Sequence, residues 1–158
     1  MCNLKNKIIM TIPKEITTRQ RAKLLPRMQA VIAEKNYLSQ EDMVEIAEDL
    51  RVPIAEVYGT ASFFSFIETE KELGKYVIRI CKTIICDMRR KNEIIETLEH
   101  CLNIKLGETT KDKEFSLLTT NCLGWCHKGP AMLINDDVFT ELTPEKVRNI
   151  IKDYKTKK

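Results

Sequence analysis

The sequence is poor in what several large classes of function require. Only 6% of its 158 residues are aromatic, with a single Trp, and basic side chains alternate with acidic ones instead of forming a dense stripe. A nucleic-acid surface usually combines such a stripe with aromatic partners, so no nucleic-acid partner is expected. No run approaches the roughly 20 consecutive apolar residues of a membrane helix, because Lys, Arg, Asp or Glu interrupts every one. The patch Ile8-Ile9-Met10, with Ile12 after Thr11, is too short for the apolar region of a secretory signal. There is no G-x-G-x-x-G fingerprint and no Walker loop, which removes the usual signs of a dinucleotide or nucleotide site. Without an export signal, six cysteines point to a reducing compartment, where thiols are more often metal ligands than disulfides. A cytoplasmic location without direct membrane insertion is the expectation.

What is present suits a soluble globular chain: 43% hydrophobic and 31% charged residues argue against wholesale disorder. The formal charge of +3 is spread unevenly, with the excess of basic residues in the second half. The tail Lys152, Lys155, Lys157, Lys158 reads as a solvated end.

The halves differ in texture, and together they predict an α/β (α+β) chain. Residues 1–73 are expected to form an N-terminal helical bundle. Leu24, Leu25, Met28, Val31 and Ile32 recur at three- and four-residue spacing as one apolar stripe. Asn36 is a plausible stop, and Ser39 caps the next helix at the amide near Asp42. Met43, Val44, Ile46, Ala47 and Leu50 form that helix's expected inner face. Pro53 opens a third short helix through Ile54, Val57 and Tyr58.

Residues 74–158 are expected to form a small mixed layer. Tyr76 to Ile80 reads as a strand running into Cys81, and Lys91 to Leu102 as a helix with Ile94, Ile95, Leu98, Cys101 and Leu102 on one face. Glu114 to Thr120 is a strand with Phe115, Leu117 and Thr119 on one side, ending just before Cys122. Ala131 to Ile134 and Val138 to Leu142 are extended pieces around an Asn135-Asp136-Asp137 turn. Thr143 caps and Pro144 opens a closing helix lined by Val147, Ile150, Ile151 and Tyr154.

The chemistry lies in two cysteine pairs, each placed where a strand gives way to a loop. Cys81 and Cys86 are spaced C-x4-C, and Cys122 and Cys126 C-x3-C. If both loops lie at one end of the sheet, four thiolates converge. A structural zinc site takes four thiolates, but its pairs usually close as C-x2-C turns. Wider spacings suit the larger diamond of a [2Fe–2S] core, and plant-type ferredoxins also use a C-x4-C element. A Rieske centre needs two histidines, and His100 lies far from either pair. A thioredoxin-type dithiol would want C-x-x-C. Spacing favours the iron–sulfur core and leaves zinc and thiol redox open. Gly124 and Gly129 would let the backbone approach an anionic cluster, and Pro130 fixes the exit. Lys82, Arg89, Arg90 and Lys128 stand near the pairs, where positive charge eases reduction. Trp125 is read as a shield, a docking contact or a lid over the local core. Cys101 reads as a core thiol, and Asp87, Glu108 and Asp112 as polar surface. Cys2 carries no assignment.

On these residues the chain resembles the thioredoxin-like [2Fe–2S] subunit of the NADH dehydrogenase module. That family occurs in respiratory complex I and, as a close relative, in NAD(P)-linked and electron-bifurcating [FeFe]-hydrogenases and some formate dehydrogenases. The resemblance runs from Leu24-Leu25-Pro26 to Tyr154 through Asn36-Tyr37-Leu38-Ser39, Val57-Tyr58-Gly59-Thr60-Ala61-Ser62-Phe63-Phe64, Gly74-Lys75-Tyr76-Val77-Ile78-Arg79-Ile80-Cys81 and Gly107-Glu108-Thr109-Thr110. Its most specific piece is Cys122-Leu123-Gly124-Trp125-Cys126 with Gly129-Pro130-Ala131-Met132. The resemblance implies a helical bundle on a thioredoxin-like domain, with Cys81, Cys86, Cys122 and Cys126 holding one [2Fe–2S] cluster. It further implies that FMN and NAD(P) bind a larger flavin-binding iron–sulfur partner subunit, that a hydrogenase or other catalytic subunit completes the complex, and that this chain does not oxidise NADH alone. A Lys- and Ile-rich composition leans toward the hydrogenase of an anaerobic fermenter. A respiratory NADH:quinone complex, a formate dehydrogenase or a zinc-braced structural module are the alternatives. The family usually has glycine where Asn36, Arg90 and Lys113 stand and proline near Leu73, while all four cysteines are kept.

Overall fold

The structure is a computed structural model and describes residues 18–156. Cys2, the Ile8 to Ile12 patch and the Lys157-Lys158 end of the basic tail lie outside the described residues. The chain divides into two compact units, the first ending at Glu72 and the second beginning at Leu73.

In the first unit, α1 (Thr18–Lys35) buries Leu24 and Met28, with Val31 and Ile32 half-buried against the same core. Asn36 then takes a left-handed φ of 62° and returns its N–H to the Ile32 carbonyl at 2.8 Å. Asn pays less than most residues for that conformation. Ser39 caps α2 (Gln40–Leu50) in a full capping box. Its hydroxyl accepts the Asp42 N–H at 3.1 Å, while the Asp42 carboxylate accepts the Ser39 N–H. Met43, Ile46 and Ala47 fill the core. Val44, expected inside, is 43% exposed. It lies one residue, about 100°, round the helix from Met43, beyond the edge of the stripe that Met43, Ile46, Ala47 and Leu50 form. The chain turns at Arg51 (φ 53°), and α3 (Ile54–Phe63) starts after Pro53. Only Val57 and Ala61 of α3 are buried, whereas Ile54 and Tyr58, also expected inside, are exposed. One i, i+4 pair is all that this ten-residue helix sinks into the core.

The second unit is built on a four-stranded sheet in the order β2-β1-β3-β4, with β1 Tyr76–Cys81, β2 Phe115–Thr120, β3 Met132–Ile134 and β4 Asp137–Phe139. β1 and β2 are parallel, and such a pair needs a long crossover. The crossover holds α4 (Ile84–Met88) and α5 (Lys91–Leu102). β3 runs antiparallel to β1, and β4 to β3. On one side, Ile78, Ile80, Phe115, Leu117, Met132 and Ile134 form a core with Ile94, Leu98 and Leu102 of α5. Val147, Ile150, Ile151 and Tyr154 of α6 (Pro144–Thr156) complete it, so the predicted inner face of the closing helix is buried throughout. Ile95 and Cys101 pack half-buried at its edge.

Several expectations are corrected. β2 starts at Phe115 rather than Glu114, and Thr119 is exposed. Ala131 precedes its strand, and the last extended piece is only Asp137–Phe139. α4 does not follow from the sequence: at five residues it is too short to show a helical period, and its Ile84, Ile85 and Met88 are exposed. Arg90 and Lys113 have φ of 63° and 56°, so, with Asn36, all three family glycine positions are left-handed here without glycine.

The register places the functional end. Cys81 pairs with Thr120, so Cys122 follows two residues beyond the same end of the parallel pair. Met132, at the start of the antiparallel β3, faces Ile80, and the Cys81 N–H reaches the Ala131 carbonyl at 3.2 Å. The exits of β1 and β2 and the entry to β3 therefore share one edge.

Candidate metal centre

That edge carries the four cysteines. Cys81, the last residue of β1, is buried, and so is Cys86 in the middle of α4; Cys126, which opens a 3-10 turn (Cys126–Lys128), is half-buried, and Cys122 is exposed. Cys86 thus sits on a short helix, not in the loop expected for it. The helix turns its sulfur back toward Cys81, and the two side chains are hydrogen-bonded to each other. The Cys122 and Cys126 sulfurs are 3.2 Å apart. Cys126 lies within electrostatic reach of Cys122, Cys81 and Cys86, and the Leu123 N–H of the second loop reaches the Cys81 sulfur.

The sulfurs are gathered two by two rather than about one point. Among the described residues, no group of three or more His, Cys, Asp or Glu side chains is placed to hold a single ion. A two-iron core with four thiolates takes two on each iron, which is what a two-and-two arrangement offers.

The surroundings suit an anionic centre. Burial pushes the Cys81 thiol up, but hydrogen bonds from the Thr83 hydroxyl, the Thr83 N–H, the Cys86 thiol and the Leu123 N–H prevail and hold it below its ordinary value. Cys81 Sγ and Thr83 Oγ1 are 3.1 Å apart. Burial, and then the neighbouring Cys81, push Cys86 up despite the Ala131 N–H. Cys126 is raised by its hydrogen bond with Cys122, then by burial and the other sulfurs. Close thiols that resist ionising together are a natural seat for a cation, which removes the repulsion. The Gly124 N–H donates to Cys122 Sγ at 3.4 Å from a φ of 85°, a conformation open to glycine. Gly129 is buried, and a Cβ there would lie 3.3 Å from Cys86 Sγ, so its bare backbone leaves the sulfur its space. The following Gly129–Pro130 bond is cis. The donor set, the inward amides and this small-residue cradle fit a four-thiolate cluster.

The other candidates separate cleanly. Cys101 packs against the sheet core on α5. His100 is exposed on the same helix, while His127 stacks on Trp125 with ring centroids 5.8 Å apart. Trp125 itself is 39% exposed. Asp87 pairs with Lys91 at 3.4 Å, Glu108 accepts the Lys105 N–H, and Asp112 accepts from Thr110 and the Glu114 N–H, all local structure. Thr83 contributes without having been singled out in the sequence, and Arg89, expected there only as a nearby positive charge, makes specific bonds. Thr83 supplies both of its donors to Cys81, and Arg89 bonds the second cysteine loop. Neither carries a local sequence signal beyond its nearness to a cysteine.

Comparison with known proteins agrees with this reading of the fold. Residues 6–155 match the model of the thioredoxin-like [2Fe-2S] ferredoxin family. An NADH-quinone oxidoreductase subunit from Buchnera aphidicola (subsp. Acyrthosiphon pisum) is 38% identical over 135 residues, covering 85% of this chain and 83% of that one. The protein of the same name from Escherichia coli K12 is 37% identical, covering 85% and 81%. Among solved structures, an NAD+-reducing [NiFe]-hydrogenase chain in the air-oxidised state superposes with a TM-score of 0.74 at 21% identity, which speaks to the fold. That likeness covers 89% of this chain and only 24% of the hydrogenase chain. With nearly its whole length matched and its cysteines brought to one edge of the sheet, the chain belongs to the thioredoxin-like [2Fe-2S] ferredoxin family.

Proposed function

We propose that the chain is a one-electron carrier subunit of a multi-subunit NAD(P)-linked oxidoreductase, with Cys81, Cys86, Cys122 and Cys126 as the ligands of one [2Fe–2S] cluster. The observation that carries this is the gathering of the four cysteines, as two pairs, where β1 and β2 end and β3 begins. When bound, such a cluster accepts and returns a single electron, moving between net charges of −2 and −3. The protein's part is to hold the thiolates and temper that charge. Amide N–H groups of Leu123, Ala131 and Gly124 and the Thr83 hydroxyl point at sulfurs, and hydrogen bonds of this kind set a cluster's potential. Exposed Cys122 marks the side by which an electron enters or leaves.

The flavin and the nicotinamide belong, on this reading, to a larger partner subunit, and this chain does not oxidise NADH alone. The compartment is cytoplasmic; among the described residues no helix is long and apolar enough to cross a membrane. The helical unit and the cluster unit are two domains, divided between Glu72 and Leu73 rather than one residue later as the sequence suggests. The parent complex is of the NADH:quinone oxidoreductase type, because the relatives named above match most of both chains. A second reading, an electron-bifurcating or NAD-dependent [FeFe]-hydrogenase, draws on the Lys- and Ile-rich composition. Anaerobic purification tests both levels. Two irons and two sulfides per chain, with visible absorption bleached by dithionite, support the carrier; a colourless protein with stoichiometric zinc overturns it. Co-purifying membrane subunits or an H-cluster subunit decide the parent.

A further inference from the structure

Arg89 follows α4 directly and reaches across the site. Its Nη1 donates to the His127 carbonyl oxygen at 3.1 Å and to the Gly129 carbonyl oxygen at 3.4 Å. Its backbone N–H is anchored on the Cys86 carbonyl at 3.2 Å. A Cβ on Gly129 would meet Arg89 Cδ at 3.5 Å as well as Cys86 Sγ, so the Arg89 stem and the Cys86 sulfur flank the same glycine. One side chain therefore joins the helix that carries Cys86 to the turn that carries Cys126, across 38 and 40 residues of sequence. The neighbouring charges are engaged locally instead: Arg90 pairs with Glu93 at 3.6 Å and Lys91 with Asp87.

Resting on the ligand set proposed above, we propose that Arg89 is the positioning residue of the cluster. It closes the Cys86 helix on the Cys126 loop, and its guanidinium is a positive charge held on the carbonyls of His127 and Gly129, the glycine that Cys86 Sγ also flanks. The first property holds the second pair of donors against the first. The second favours the more negative, one-electron-reduced state, because each added unit of negative charge is stabilised by a nearby cation. The planar guanidinium fixes the directions of the two Nη1 N–H donors, whereas a lysine ammonium keeps the charge on a shorter stem whose donors rotate freely.

Two full-length variants separate the properties, Arg89→Lys and Arg89→Gln, each compared with the parent chain after anaerobic loading with iron and sulfide. The readouts are the cluster midpoint potential, the rate of iron release to a chelator, and site-resolved alkylation of Cys86 in the iron-free chain. Arg89→Gln is expected to lower the potential, to release iron about ten- to a hundredfold faster, and to expose Cys86 to alkylation sooner. Arg89→Lys is expected to keep a potential close to the parent's while sharing the faster release and alkylation. If Arg89→Gln retains the parent's potential, the electrostatic role is overturned. If Cys86 alkylation is unchanged in both variants, the clasp is overturned. Should Arg89→Gln fail to fold, shown by its circular dichroism, the release and alkylation of Arg89→Lys decide the clasp, and a second charge-removing variant, Arg89→Met, takes its place for the potential: a value equal to the parent's overturns the role of the charge. Alkylation is read without iron, so a failed clasp is distinguishable from a failed ligand assignment, which shows instead as a parent chain that takes up no iron.

Discussion

The Tyr154 hydroxyl donates to the Asp137 carboxylate at 2.5 Å, joining the last helix to the edge strand of the sheet. Tyr154 also stacks edge-on against Tyr76 of the central strand, with ring centroids 5.0 Å apart. Burial, then the hydrogen bond to Asp137 and its charge, push the phenol up to about 12. The folded state therefore prefers the neutral phenol, whereas an unfolded tyrosine ionises near pH 10. Its stabilisation is complete below about pH 10 and is lost as pH rises through about 12. Urea unfolding should show stability falling across that window in the parent chain, with a shallower fall in Tyr154→Phe. Near neutral pH the variant should lose about 1–2 kcal/mol with the hydrogen bond to a charged acceptor. Equal slopes in the two chains would refute the link.

Asp42 gives the opposite sign in the helical unit. Burial pushes its carboxyl up, but the Lys35 ammonium at 2.6 Å and the hydroxyl and N–H of Ser39 prevail and hold it below the usual carboxylate value. Stability from this group is present above about pH 4 and lost as pH falls through the depressed folded value. Asp42→Asn should weaken the capping box, costing about 1 kcal/mol near neutral pH, and should flatten the acid limb. Hydrogen exchange at the α2 amides, followed from neutral to acid pH, reads both effects in the unit concerned. An acid limb as steep in the variant as in the parent would show that Asp42 does not carry it.

Most of the fold was legible because the sequence states it locally. α5 was predicted to its ends by Ile94, Leu98 and Leu102 at helical spacing, and α6 by a Thr-Pro opening and four inner residues that are all buried. Legibility failed where the signal is tertiary. Val44, Ile54 and Tyr58 are as apolar as their buried neighbours, and only the packing of three short helices decides which of them meets the core. α4 is illegible because about one and a half turns are too short for a periodic signal, and only the fold shows that its buried residue is Cys86 while Ile84, Ile85 and Met88 are exposed. The two cysteine pairs were visible as spacing, but the Thr83 hydroxyl on Cys81 and the reach of Arg89 to His127 and Gly129 depend on where the loops end up.

Backbone conformation gives a paired prediction. Arg51 closes α2 at φ 53°, a region that costs an L-residue about 1–2 kcal/mol and glycine little. Glycine also loses about 0.5–1 kcal/mol more chain entropy on folding. Arg51→Gly should therefore be stabilising by about 0.5–1 kcal/mol. Gly74→Ala should do the reverse, since its Cβ would sit 2.8 Å from the Lys113 carbonyl oxygen and 3.0 Å from backbone atoms of Glu114 and Phe115. Backbone leading into β2 cannot yield as a side-chain tip would, so overpacking should cost about 1–3 kcal/mol. Denaturant midpoints of the two variants should move to opposite sides of the parent's.

Replacement of the cysteines tests the site most directly, because the five described thiols fall into two environments. Cys81, Cys86, Cys122 and Cys126 lie together at one edge of the sheet, whereas Cys101 packs on the α5 side of the core. Serine at any of the first four offers a harder donor that binds iron less well than a thiolate. Each such variant should show altered visible and EPR spectra and a lower iron content. Ala at position 101 removes one half-buried sulfur, costing stability but leaving those spectra unchanged. The buried pair adds a gradient. Cys86→Ser places a polar hydroxyl in a site 1% exposed and bounded by Gly129, so it should lose more cluster than Cys122→Ser at the exposed position, where water can complete the coordination. Iron and sulfide analysis of the set, purified side by side, gives the ranking. Loss of iron on replacing Cys101, with retention on replacing Cys86, would reverse the ligand assignment.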